Sequence, residues 1–195
     1  MIRFFDIIFS LIGILILLPL FIIIYIIVIV ESKGGGFYIQ KRVGKNGKDF
    51  NLLKFRTMRT GSDKFGLITV GHNDVRITKS GIFLRRYKLD ELPQLLNVCI
   101  GDMSLVGPRP EVRKYVDLYT LEQRKVLSIR PGITDYASMM YANENEILGN
   151  SEDPEQLYIK TILPDKIRIN MKYIDNRSVR QYFSIIFLTL QSICK

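Results

Sequence analysis

Residues 89–110 read LDELPQLLNVCIGDMSLVGPRP. The stretch begins with two adjacent carboxylates, Asp90 and Glu91, and ends with Arg109 between two prolines. Asp90 is predicted to be the N-cap of a short helix, where free backbone N–H groups and the helix dipole keep a carboxylate ionised. An ionised Asp is a candidate nucleophile towards phosphorus, although a lone Asp at such a place is more often only a cap.

Glu91 is the candidate ligand for Mg²⁺, which typically takes one or two carboxylates and completes its shell with water and phosphate oxygens. Arg109 offers a planar fork that matches phosphate oxygens, and its flanking prolines restrict its backbone. Lys54 and Arg85 are further cations for the same anionic group. The pattern predicts a magnesium–diphosphate site, with a solvated Glu91 and a lipid-headgroup contact at Arg85-Arg86 as the plainer alternatives.

The composition indicates an anionic partner. The 195 residues carry a net charge of +9, which suits nucleic acid, acidic lipid headgroups or phosphorylated substrates. Nucleic acid is disfavoured because the aromatic residues are not interleaved with the basic ones as a stacking platform requires. The single histidine, His72, nearly excludes a His-rich metal site, and the two cysteines, Cys99 and Cys194, lack metal-ligand spacing. A reducing cytoplasm is the simplest compartment.

Residues 7–30 form an apolar segment. As one straight helix it would reach roughly 36 Å, enough to cross the hydrocarbon core of a bilayer. A cleaved signal peptide is disfavoured because the run is long and no small-residue cleavage site follows it. Basic residues after the segment place that flank in the cytoplasm. Pro19 predicts a kink, so the segment either spans the membrane or returns to the same face, and the residues alone leave both open.

After a glycine-rich joint at 31–36, the pattern predicts a mainly helical α+β domain with one small β-hairpin. Asn46-Gly47 between two extended runs predicts a hairpin of strands 37–43 and 49–57. Helices are predicted over 81–100 (broken near 88–90), 111–128, 154–175 (with a boundary at Pro164) and 178–193, and a turn over 130–134. The last helix is too polar to span a membrane and is either a core helix or an interfacial one.

Several blocks of the sequence resemble the bacterial sugar transferase family, the monotopic phosphoglycosyl transferases. In family order they are Lys54-Phe55-Arg56-Thr57-Met58, Asp74-Val75-Arg76-Ile77-Thr78, Leu89-Asp90-Glu91-Leu92-Pro93-Gln94, Asn97-Val98, Gly101-Asp102-Met103-Ser104-Leu105-Val106-Gly107-Pro108-Arg109-Pro110 and Arg130-Pro131-Gly132-Ile133-Thr134. The resemblance extends over about residues 1–175, and the length resembles that of the short members of the family.

The resemblance implies transfer of a sugar-1-phosphate from a UDP-sugar to undecaprenyl phosphate with release of UMP, the first membrane step of bacterial glycan assembly. It implies that Asp90 becomes a covalent aspartyl-phosphosugar, that Glu91 belongs to the Mg²⁺ site, and that Lys54, Arg85 and Arg109 contact phosphate. It also implies a re-entrant membrane anchor at 1–33, kinked at Pro19. Amphipathic interfacial helices and a compact catalytic domain at 34–195 would then lie on the cytoplasmic face of the inner membrane.

The chain departs from the family pattern in three places. Leu18 stands where many relatives have Ser before the kink proline, and residues 135–138 and 143–146 differ from the usual sequence. Two other hypotheses compete: a membrane-anchored nucleic-acid-binding protein, and a catalytically inactive scaffold of a glycan-assembly complex. The intact Asp90-Glu91 pair and Arg109 oppose the scaffold. The sequence does not specify the sugar or the glycan, and it is compatible with a homo-oligomer.

Overall fold

The computed structural model describes residues 1–62 and 74–193, and these are mainly helical with two small sheets. The helices are α1 (Ile2–Glu31), α2 (Lys79–Arg86), α3 (Gln94–Ile100), α4 (Arg113–Val116), α5 (Tyr136–Met140), α6 (Glu144–Gly149), α7 (Pro154–Leu157), α8 (Leu163–Asp175) and α9 (Val179–Ile193). The strands are β1 (Phe37–Val43), β2 (Asp49–Phe55), β3 (Ser104–Val106) and β4 (Gly132–Thr134). The predicted α+β class is confirmed; His72 and Cys194 lie outside the described residues.

The long N-terminal helix α1 is continuous through Pro19. Among the described residues it is the one helix long and apolar enough to cross a membrane. Both of its ends are bound to the rest of the chain. Near the start, the Asp6 carboxylate accepts hydrogen bonds from Ser104 and Tyr182, each 2.9 Å long. At the end, the Glu31 carboxylate accepts hydrogen bonds from the backbone N–H groups of residues 79 and 80.

The predicted hairpin is confirmed. Strands β1 and β2 are antiparallel, with Phe37 opposite Phe55, and β2 ends two residues before the predicted boundary. The turn contains two residues with left-handed backbone, Asn46 (φ 58°) and Gly47 (φ 75°). Asn and Gly adopt this conformation more readily than other residues, which is why the dipeptide was a usable signal.

The predicted turn at 130–134 is wrong, because Gly132–Thr134 forms strand β4 and pairs in parallel with β3. The backbones of the two segments approach each other very closely at Gly107 and Gly132. A Cβ atom added to Gly132 would lie 2.1 Å from the Gly107 nitrogen, so the pairing depends on glycine. Both strands are three residues long, too short to give an alternating pattern.

The predicted break in the helix at 81–100 is confirmed, but Asp90 is not an N-cap. Lys88 has a left-handed backbone (φ 57°) that ends the preceding helical path. Asp90 then lies inside a 3₁₀ turn, Leu89–Glu91, and helix α3 starts only after Pro93. Proline has no N–H to donate and so fits the start of a helix, which moves the cap away from Asp90.

The other helix predictions are mixed. The helix at 111–128 is wrong: α4 ends at Val116, and a 3₁₀ turn over Gln123–Ser128 follows. Thr120 and Gln123 exchange side chain–backbone hydrogen bonds, which start this new turn. The helical path over 154–175 is confirmed, with a π-helical segment at Tyr158–Ile162 before α8. Helix α9 buries Tyr182 and Ile185 completely, so it is a core helix that also exposes an apolar face.

Candidate active site

The carboxylate pair lies in the Leu89–Glu91 turn, which apolar neighbours hold from behind. Leu89 and Leu92 pack against a cluster contributed by α1, β2 and α2, consisting of Ile24, Val28, Phe55 and Leu84. Asp90 and Glu91 are nevertheless almost buried, with 7% and 9% of their surface exposed. Two buried carboxylates side by side are unfavourable unless cations compensate them.

Glu91 receives that compensation from two cations. Arg109 binds it in a bidentate manner, with one N–H···O distance of 3.1 Å to Oε2 and a second contact to Oε1. Lys54 Nζ lies 3.3 Å from the same Oε1. Burial by itself would raise the pKa of Glu91, but the charges of Arg109 and Lys54 outweigh it and hold the pKa well below the ordinary value. Glu91 is therefore ionised at neutral pH.

Asp90 differs from its neighbour because no group in the described part of the chain donates a hydrogen bond to it. Burial, and after it the negative charge of Glu91, raise the pKa of Asp90 above its usual value. The charges of Lys54 and Arg85 act in the opposite direction. Asp90 is thus a poorly solvated carboxylate whose oxygens accept no hydrogen bond from the described residues, which suits a nucleophile.

The hairpin fixes the segment that carries Arg109. Arg42 donates hydrogen bonds to the Pro110 carbonyl (3.2 Å) and to Glu111 Oε1 (2.9 Å), and Tyr158 donates to the other Glu111 oxygen. Sequence reasoning missed this network. The sequence feature that could have indicated this network is the alternation along β1. It places Arg42 on the half-buried face of the strand together with Tyr38 and Gln40.

One cavity of about 490 Å³ joins the predicted site residues, a size in the range of small-molecule sites. Its lining includes Lys54, Arg85, Asp90, Glu91 and Arg109, and it extends to the π-helical segment and α8. Arg85 also donates a 2.9 Å hydrogen bond from Nε to Thr57. The structure thus places all five predicted site residues other than Pro19 around one space, and Pro19 lies within α1.

The residues present fit a magnesium ion bound mainly through substrate. The described residues contain no group of three or more His, Cys, Asp or Glu side chains that would hold a metal alone. Mg²⁺ requires only one or two protein carboxylates when phosphates supply other ligands. Glu91 Oε2 accepts one hydrogen bond, from Arg109, and so keeps a lone pair for an ion.

The fold and the site together combine a membrane-compatible N-terminal helix with a carboxylate pair that faces a cationic cavity. The model of the family described as "Bacterial sugar transferase" matches residues 1–195. The chain belongs to the bacterial sugar transferase family.

Three relatives illustrate the range of similarity. The putative undecaprenyl-phosphate N-acetylgalactosaminyl 1-phosphate transferase of Bacillus subtilis (strain 168) is 48% identical over 56% of the chain and 61% of its own length. The UDP-N-acetylgalactosamine-undecaprenyl-phosphate N-acetylgalactosaminephosphotransferase of Aeromonas hydrophila is 35% identical over 96% of the chain and 42% of its own length. The exopolysaccharide production protein ExoY of Rhizobium meliloti (strain 1021) is 32% identical over 98% of the chain and 84% of its own length. The chain thus spans less than two thirds of the length of the first two of these relatives.

Proposed function

We propose that the chain transfers a sugar-1-phosphate from a UDP-sugar to undecaprenyl phosphate and releases UMP. The family supports the reaction class, and the name of the Aeromonas hydrophila relative gives this donor type and this acceptor. The observation that carries the proposal is the unlike pair of carboxylates. Glu91 is neutralised by Arg109 and Lys54, whereas Asp90 accepts no hydrogen bond from the residues that the structure describes and lines the same cavity.

The proposed reaction has two displacements at one phosphorus. First, an Asp90 oxygen bonds to the phosphorus that bears the sugar, the bond from that phosphorus to the bridging oxygen breaks, and UMP leaves with the electron pair. Then an oxygen of undecaprenyl phosphate attacks the same phosphorus and the Asp90 carboxylate leaves. The product is a sugar linked through a diphosphate to undecaprenol, and Asp90 is regenerated.

The cations around the cavity stabilise the charge that develops on the diphosphate. Lys54, Arg85 and Arg109 line the cavity, and burial makes their electrostatic contributions stronger than in water. We propose that Glu91 contributes one oxygen ligand to Mg²⁺, which would neutralise phosphate charge. We expect chelation of divalent cations to abolish turnover and added Mg²⁺ to restore it.

The test is a donor panel with the purified protein in nanodiscs. UDP-sugars are supplied with undecaprenyl phosphate and Mg²⁺, and the released nucleotide is identified by chromatography. We expect UMP from at least one donor. Release of UDP would contradict the proposal, because it means that the sugar–phosphate bond is cleaved; release of neither nucleotide from any donor would instead support the inactive scaffold.

We also propose that α1 is a monotopic anchor and that the protein lies on the cytoplasmic face of the inner membrane. The two ends of α1 bind the same domain, through Asp6 at the start and Glu31 at the end. A spanning helix would place those two ends on opposite sides of the bilayer, about 30 Å apart. The outer surface of α1 is apolar and exposed at Leu15 and Ile16, which suits contact with lipid.

Labelling with a membrane-impermeant maleimide tests this arrangement. In a background with Cys99 and Cys194 replaced by serine, Phe4→Cys and Lys33→Cys report the two flanks of the helix. We expect both to stay unlabelled in intact spheroplasts, and at least Lys33→Cys to react in inverted vesicles. Labelling of Phe4→Cys from outside the spheroplasts would mean that α1 spans the membrane.

A further inference from the structure

The cavity continues beyond the carboxylate pair to a second wall formed by α5, α6, the π-helical segment and α8. We call it the far wall; it contains Ser138, Tyr141, Glu144, Tyr158, Lys166 and Asn170. Most of its polar side chains already have partners. Tyr141 donates to Asp165 at 2.8 Å, Lys166 pairs with Glu144 at 2.5 Å, and Tyr158 donates to Glu111.

Asn170 is the exception on this wall. It is 5% exposed, and its Oδ1 atom is enclosed and accepts no hydrogen bond from the described residues. It occupies a position on α8 between the buried residues Ile167 and Tyr173, where the helical pattern favours an apolar side chain. An unpaired buried carboxamide destabilises a folded protein, so its presence on a cavity wall points to a ligand that supplies the partner.

The far wall is connected to the phosphate-binding end of the cavity through Asp135. The Asp135 carboxylate caps α5, accepting hydrogen bonds from Ser138 N (2.9 Å) and Ser138 Oγ (2.7 Å). Asp135 also lies close enough to Arg109 to act with Glu91, the larger influence, in raising the pKa of Arg109. Ser138, Glu144 and Asn145, which line the cavity, belong to the segments in which this sequence departs from the family pattern.

We propose that the Asn170 carboxamide binds a part of the nucleotide-sugar donor outside its diphosphate, either the base or the sugar. Its oxygen would accept a hydrogen bond from an N–H or O–H group there. The inference rests on the proposed function. Such a group has two sources: the imide N–H of uracil, or a hydroxyl or acetamido N–H of the sugar. Because Oδ1 is enclosed in this structure, binding requires a rotation about the soft terminal torsion of Asn170 that turns Oδ1 towards the ligand.

The test compares Asn170→Leu and Asn170→Ala with Asn176→Leu as the matched control. Asn176 is an exposed residue at the end of α8, and among the described residues its side chain hydrogen-bonds only to the Lys172 carbonyl. Steady-state UMP release is measured with several UDP-sugars, together with inhibition by UMP and the thermal unfolding temperature. We expect both Asn170 variants to lose about 10-fold in kcat/KM, the effect of one buried hydrogen bond, while Asn176→Leu matches wild type.

Thermal unfolding separates a binding role from a structural one. Because Asn170 has no hydrogen-bond partner among residues 1–62 and 74–193, Asn170→Leu is expected to unfold at the same temperature as wild type or a higher one. A lower unfolding temperature with an equal loss of kcat for every donor and an unchanged KM would overturn the proposal. So would kinetic constants within about twofold of wild type.

The two sources of the ligand group give different patterns. If Asn170 binds uracil, inhibition by UMP weakens and KM rises by one factor for all UDP-sugars. If it binds the sugar, inhibition by UMP is unchanged and the ranking of donors changes. A wild-type protein that releases no UMP would refute the proposed function and this inference with it, whereas an active wild type with unaffected Asn170 variants refutes the inference alone.

Discussion

Asp90→Asn is expected to reduce UMP release by at least about 1,000-fold, because asparagine has no anionic oxygen to attack phosphorus. The variant keeps the shape of the side chain, so substrate binding should change much less than turnover. The measurement is single-turnover UMP release in nanodiscs at saturating donor. Asp117→Asn, at an exposed position next to Arg113, is the matched control and should keep full activity.

The same substitution is expected to leave the unfolding temperature unchanged or to raise it. In the folded protein, burial and then Glu91 disfavour the charged form of Asp90, and a neutral amide avoids that repulsion. A gain of about 1 kcal/mol in the free energy of unfolding would raise the unfolding temperature by about 2–4 °C for a chain of this size. An inactive Asp90→Asn that also unfolds well below wild type would indicate a structural role for Asp90.

Glu91→Gln is expected to destabilise the fold by about 3 kcal/mol, because it leaves the partly buried Lys54 and Arg109 without their shared carboxylate. It also removes the proposed Mg²⁺ ligand, so activity should fall even where the variant is folded. Denaturant unfolding in detergent measures the first effect and turnover the second. Glu155→Gln is the control, because the half-exposed Glu155 side chain pairs with Lys114 at the surface; it should change stability by less than about 1 kcal/mol.

The stability difference between wild type and Glu91→Gln should depend on pH. The pKa of Glu91 is lower in the folded chain than in the unfolded one, so its stabilising effect is complete above the unfolded value of about 4.3 and disappears as the pH falls below it. We expect the difference between the two proteins to shrink on acidification below that value. A difference independent of pH would mean that Glu91 stabilises the fold through packing alone.

Local rules predicted the hairpin and the break before the carboxylate pair because each depends on a few neighbouring residues. Asn46-Gly47 specifies a tight turn whatever its surroundings. The pairing of β3 with β4 was not predictable in this way, since it joins residues far apart in the chain and depends on contact between Gly107 and Gly132. Non-local pairings leave no periodic pattern in short segments.

The candidate site was predictable to a similar extent. Residue types and the family resemblance identified Asp90, Glu91, Lys54, Arg85 and Arg109, and the structure gathers them around one cavity. They could not predict how the partners divide: Arg109 and Lys54 bind Glu91, and no described residue donates a hydrogen bond to Asp90. That division follows from the left-handed Lys88 and from Arg42, which holds the Arg109 segment in place. Asn170, whose Oδ1 has no partner within the described part of the chain, was hidden within an apolar helical stripe.

The covalent role of Asp90 can be tested by intact-mass spectrometry of the protein mixed with Mg²⁺ and a UDP-sugar that it turns over, without undecaprenyl phosphate. We predict a mass increase of one phosphosugar on Asp90, matched by released UMP. The adduct should be absent in Asp90→Asn and lost when undecaprenyl phosphate is added. UMP release only when both substrates are present, with no adduct at any time, would mean direct transfer between the substrates and would contradict the role assigned to Asp90.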